Sequence, residues 1–402
     1  IANPIILNSN HTQLQVLTGS AEQAGDISET GGARPLDKIG SGELVLSGSN
    51  TYSGATNVLA GTLTAASDFA LSADSDFKVN AGATLFVGDG FEADINSLAN
   101  GPLGGGNVVI GTFDPSTTLH LGFNGGGTTT LGGKITGAGN FELDGGSLTL
   151  TGKDNAIDGH LVIDICGCSG SGGLTLAGGN FKTDFVSVSN GKLAVTLGGV
   201  LTQFDPTLAF GAGGSEILVD GRGSKIDIAG FAILANSSLT VRNGGHFQQT
   251  GAFPSFPGFF ADAGTVRVEG AGSSLDATGL ALRNGSLSVL SGGKLSLSDK
   301  TTGLGFDSGA MRIDAPFVAP KLVRRRLENP DRPMAEGSSP LAMASRSGRV
   351  VGPIMRAIGD VCDQTRSFWI QASSVSSPSK RPRSSTPRTM ARRSTTSLFA
   401  AN

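Results

Sequence analysis

Short runs of alternating apolar and polar residues, each closed by a turn cluster, recur along most of this chain and limit its folds more than any other feature. Glu43-Leu44-Val45-Leu46-Ser47, Asn107-Val108-Val109-Ile110, Ser147-Leu148-Thr149-Leu150-Thr151 and Lys192-Leu193-Ala194-Val195-Thr196-Leu197 are examples. Period-2 alternation puts every second side chain on one face of a strand. The Gly, Asn, Asp and Ser clusters between runs tolerate turn dihedrals. No stretch of residues 36–315 keeps a helical apolar stripe over three turns. The predicted fold class is all-β.

The runs are copies of one another. Ile217-x-Val219-x-Gly221-x-Gly223-Ser224-x-Ile226-Asp227 returns 49 residues later as Val266-x-Val268-x-Gly270-x-Gly272-Ser273-x-Leu275-Asp276. Asn236-x-Ser238-Leu239-x-Val241 returns as Asn284-x-Ser286-Leu287-x-Val289. Leu44-x-Leu46-x-Gly48-x-Asn50 with Gly54 is echoed by Leu148-x-Leu150-x-Gly152 with Asn155 and Gly159. A unit of about 20–25 residues cannot cover its own apolar face, but neighbours of the same shape can cover it. The expectation is a parallel β-helix, a solenoid whose coils stack at strand spacing. Asn50 and Asn155 suit left-handed turn positions that bond to their equivalents in the next coil. Separate β-sandwich domains are the competing architecture, disfavoured by the repeat spacing and the scarcity of long hairpin signals.

The 402 residues include 62 glycines, about twice the usual share, without the three-residue period of a collagen. No run of 18 apolar residues encodes a spanning helix. Charge divides the chain near residue 320. Residues 1–320 carry 28 acidic and 15 basic side chains, and residues 321–402 carry 5 acidic and 15 basic ones. The predicted organisation is a fragment of a preceding coil or linker over 1–35, β-helix repeats over 36–320, and an Arg/Ser/Pro-rich tail of low order over 321–402. The tail contains Arg324-Arg325-Arg326, Lys380-Arg381-Pro382-Arg383 and Arg392-Arg393. Clustered arginine suits a polyanion, but the abrupt change of composition reads better as out-of-frame translation past a lesion in a longer gene. No nucleic-acid partner is expected for the body.

Residues 38–63 closely resemble the passenger-associated repeat of bacterial autotransporters. Leu44-x-Leu46-x-Gly48-x-Asn50-Thr51-Tyr52-x-Gly54 forms its core, followed by a Val58 strand and Ala60-Gly61-Thr62-Leu63. Residues 217–245 and 266–293 resemble a second repeat type of the same passengers. The resemblance implies a right-handed β-helix displayed on a Gram-negative cell surface or secreted. It further implies adhesion or host contact, with a host surface, a matrix component or a second copy as partner. A polysaccharide-degrading β-helix enzyme and an inactive frameshifted product are the alternatives. A complete passenger would carry a leader and a C-terminal barrel of roughly twelve strands, each of about ten alternating residues. Neither is evident in these residues, so the chain reads as a fragment whose contact with the membrane depends on a barrel outside it.

No residues assemble a catalytic motif, and neither a catalyst nor a cofactor is expected. Gly305-Phe306-Asp307-Ser308-Gly309 interrupts a nucleophile-loop pattern and reads as a structural turn. Asp68, Asp74 and Asp76 read as solvated turn carboxylates rather than a glycosidase pair. His11, His120, His160 and His246 are too scattered for a multi-histidine metal site. Cys166-Gly167-Cys168 lacks a second ligand pair at zinc spacing and reads as two thiols or a local disulfide. One segment, Gly245–Phe260, holds five phenylalanines between the two best repeat copies. Phe253, Phe256, Phe259 and Phe260 are therefore the candidate binding patch, an apolar loop projecting from the solenoid. A satellite core folded back on the coil is the competing reading.

Overall fold

The computed structural model describes residues 1–122, 125–164, 172–251, 257–298 and 304–314, with the backbone alone at 306–309. Cys166, Cys168, Phe253, Phe256 and the basic tail lie outside the described residues. Among the described residues there is no helix; the chain forms a β-solenoid of about 13 turns built from parallel strands. Among the described residues no helix is long and apolar enough to cross a membrane.

From Asp76 onward the coils place short strands on three faces, whereas the coils that begin at Leu36 and Thr56 hold two strands each. The first face is a 13-stranded sheet running from Ser20–Gln23 to Lys294–Leu297. A 17-stranded sheet, from Glu92–Ile95 to Leu304–Ile313, covers the other two faces. They merge because Leu280–Leu290 runs through the corner and pairs with Phe259–Asp262 and with Thr265–Glu269. Near the N-terminus one face is a separate five-stranded sheet that includes Thr12–Gln15, Leu36–Ile39 and Ser97–Asn100. Thr12–Gln15 pairs in parallel with Leu36–Ile39, and Ser20–Gln23 with Glu43–Leu46. Stacking therefore begins within the first 35 residues.

Alternation within a strand becomes a column between strands. Leu44, Leu63, Leu85 and Val108 occupy equivalent positions in four successive coils, all buried. On another face, Ile217, Leu239, Val266 and Leu287 do the same. The 49-residue repeat thus spans two coils, since Leu239 lies between Ile217 and Val266. Each inward side chain is covered by the coils on either side, which is how short strands share one continuous core. A single Leu→Ala change in such a column costs about 2–5 kcal/mol.

The echo between residues 44–54 and 148–159 has a different outcome. Glu43–Leu46 belongs to the 13-stranded face, whereas Ser147–Leu150 belongs to the 17-stranded sheet, one face earlier in its coil. The two segments share an alternation, not a position. Gly305–Gly309 lies within the parallel strand Leu304–Ile313, with a register shift opposite Leu282 and Arg283. It is a bulged strand rather than the expected turn.

Candidate functional site

The repeat segment at 36–65 is held by buried polar side chains that reach between coils. Asn50 Oδ1 accepts from the Ile27 amide at 2.7 Å, and Asn50 Nδ2 donates to the Ala70 carbonyl. Asn155 Oδ1 accepts from the Ile135 amide at 2.8 Å and its Nδ2 donates to the Asn180 carbonyl at 2.7 Å. Neither residue has a positive φ. Their partners are backbone groups of the coils on either side, not equivalent asparagines, which corrects the expected side-chain ladder. The asparagines with left-handed backbone are instead Asn190, Asn236, Asn243 and Asn284.

Tyr52 is fully buried. Its hydroxyl is 2.8 Å from Thr56 Oγ1, which is 2.8 Å from Ser75 Oγ, which donates to the Gly54 carbonyl at 2.7 Å. Burial pushes the phenol up to about 12. Lys38, in the same segment, points inward and is 1 % exposed. Its ammonium donates to the carbonyls of Gly40 at 2.9 Å and Ala60 at 2.8 Å, joining adjacent coils, and burial lowers its pKa. Sequence reasoning missed Lys38, although its alternation with Leu36 marks an inward position.

Two reasons require the repeat glycines. A Cβ on Gly48 would lie 2.6 Å from the Gly25 backbone, and one on Gly54 would lie 2.0 Å from Arg34. Gly221, Gly223, Gly270 and Gly272 have φ between +84° and +97°, which disfavours any side chain.

The phenylalanine segment divides into elements. His246–Gln249 and Phe259–Asp262 are both strands of the stack. The coil from His246 to its register partner Ser274 is 28 residues long, and the next, from Ser274 to Lys294, is 20. Extra chain therefore lies between Gln249 and Phe259. Phe259 itself is buried in the core, with its ring 5.6 Å from Phe247, which is in turn 6.0 Å from Phe210. It belongs to the interior rather than to a binding patch. Phe260 points the other way and is half-buried, in register with Ile233 on the outer surface.

The outer surface changes character along its length. Between residues 192 and 314 opposite charges pair: Lys192–Glu216, Arg242–Asp220, Arg283–Asp262 and Arg312–Asp314. Toward the N-terminus the corner loops bear aromatic residues at a spacing of 22, Phe69, Phe91 and Phe113. Phe69 is 67 % and Phe113 78 % exposed. Adjacent coils brace these loops. Asp68 accepts from the Glu92 amide at 3.0 Å, and Asp89 accepts from the amides of Thr112, Phe113 and Asp114 at 2.7–3.0 Å. The Phe113 amide leads the hydrogen bonds that hold the Asp89 carboxyl well below the usual carboxylate range. Asp76 is bonded to Asn96 and Ser97. Asp68 and Asp76 thus brace neighbouring coils, and Asp74 is exposed.

Residues 36–65 match the model of the passenger-associated-transport-repeat. A stretch of 110 residues is 41 % identical to the "Adhesin BmaC autotransporter" of Brucella suis biovar 1 (strain 1330). That match covers 27 % of this chain and spans 3 % of the relative's length. No solved structure matches the chain.

Proposed function

We infer that this chain, a β-solenoid of the autotransporter-passenger type, is displayed at a bacterial cell surface and acts in adhesion. The observation that carries the reading is the passenger repeat at 36–65 built into one uninterrupted stack of coils. A stack presents the same outward position once per coil, so weak contacts repeat in register. A partner that engages several of them gains avidity without a deep pocket. The exposed Phe69 and Phe113, set in braced corner loops, supply apolar contact at low ordering cost. The relative's name as an adhesin supports the assignment, and the partner is a host surface or matrix component.

The chain fused to an autotransporter barrel, displayed on a non-adherent bacterium and applied to epithelial cells and matrix-coated plates, tests this. Adhesion above the empty-barrel strain is expected, falling at least threefold in Phe69→Ser/Phe113→Ser with surface display unchanged. Adhesion equal to the empty barrel on every surface would refute the reading.

A further inference from the structure

One histidine on the outer surface stands among carboxylates of its own and neighbouring coils. Asp94, His120 and Glu142 hold equivalent outward positions in three successive coils. Asp144 follows Glu142 at the strand's end. His120 Nδ1 lies 3.2 Å from Asp144 Oδ2 and 3.5 Å from Glu142 Oε2. One ligand atom from each of the three falls within 4.8 Å of the others. The imidazole is mostly enclosed, with its side chain 12 % exposed. Asp68 and Glu92 add negative charge around Asp94, and burial leads the effects that raise its pKa.

The three side chains come from two adjacent coils and converge on one point of the outer surface. Their spacing suits a bound cation. Zinc binds His nitrogen and carboxylate oxygen at about 2.0–2.2 Å, so tetrahedral ligand atoms stand about 3.3–3.6 Å apart. The two His120 distances lie close to such edges, and the Glu142 and Asp144 oxygens are within 4.8 Å of each other. Calcium and magnesium prefer all-oxygen shells, whereas an imidazole in the set selects a first-row transition ion.

We propose that His120 Nδ1, Glu142 and Asp144 bind a divalent transition cation of the zinc class, clamping two adjacent coils. On binding, His120 Nδ1 gives its proton to water, and its lone pair and one oxygen from each carboxylate become ligands. Water completes the fourth position. The site lies in the same outer region as the aromatic corners but does not depend on the adhesion reading.

The test uses the full chain with Cys166, Cys168 and Cys362 replaced by Ser, so that thiols do not compete for metal. After chelator treatment it is titrated calorimetrically with zinc chloride, then with calcium chloride, near neutral pH. One zinc site is expected, with a melting temperature that rises with zinc and not with calcium. Cobalt(II) should give the visible absorption bands of a tetrahedral complex. His120→Ala should abolish these bands and weaken zinc binding at least tenfold. Glu142→Gln and Asp144→Asn should each weaken it at least threefold, and His160→Ala should leave it unchanged. Circular dichroism checks folding, and the two carboxylate variants decide the matter if His120→Ala fails to fold. Zinc titrations of Glu142→Gln and Asp144→Asn that superimpose on the parent, or a site that takes calcium and not zinc, would overturn the proposal.

Discussion

Asp184 shows how a carboxylate at a coil corner spends stability. Burial first, then the nearby Asp205 charge, pushes its carboxyl up to about 6. One carboxylate oxygen is buried with no hydrogen-bond partner among the described residues. His160 Nε2 stands 3.9 Å away, and burial lowers the imidazole's pKa, so it compensates little. An unfolded aspartate titrates near 3.9, so the folded chain binds the proton more tightly. That contribution is complete below about pH 4 and is lost as the pH rises through about 6. At pH 7.5, Asp184→Asn is expected to melt about 2–4 °C above the parent, the shift about 1 kcal/mol makes in a large domain. The gap should close by pH 4 in melting curves at both values. Asn50 predicts the opposite sign. Asn50→Ala strands the buried Ile27 amide and Ala70 carbonyl, each costing about 1–3 kcal/mol. Urea titration should show a loss of about 2–4 kcal/mol.

For a strand and its corners, what matters is how closely successive backbones approach. The Gly54→Ala methyl would stand 2.0 Å from the Arg34 carbonyl, so the coils must separate locally. A loss of about 3 kcal/mol in chemical denaturation is expected, at the upper end for overpacking. Gly211 is the control: among the described residues a Cβ there meets nothing within 4 Å. Gly211→Ala should be neutral or stabilising by about 0.5–1 kcal/mol, because a strand glycine carries excess chain entropy. Strands were legible in the sequence because alternation is a local signal, as at Leu44 and Leu46. The face each strand occupies was not, so the echo at Leu148 and Leu150 pointed to the wrong position. Phe259 shows the same limit. Aromatic clustering suggested a surface patch, but the parity of Phe259 and Ala261, in register with Leu280 and Leu282, sends Phe259 inward.

At the scale of the whole molecule, every coil has neighbours as its only partners, so length should be adjustable in whole coils. Removing residues 217–265 brings Val266 to the place of Ile217 in the same column. That deletion is expected to fold with unchanged β-sheet circular dichroism and one cooperative transition. Removing residues 217–228 breaks the register and should yield aggregated chain. The His120 cluster belongs to this scale as well. His120 and Glu142 are 22 residues apart, and only the coil register brings them together, so no local motif could announce it. The stack itself is tested most directly by electron–electron spin resonance between labels on the first face. Thr136 and Ser296 sit at equivalent outward positions seven coils apart, through Ala156, Lys182, Thr202, Asp227, Gln248 and Asp276. At about 4.8 Å per coil, their backbones should lie about 34 Å apart, with intermediate pairs stepping down in proportion to the coils between them. Distances that do not grow with coil number would contradict the stacked solenoid.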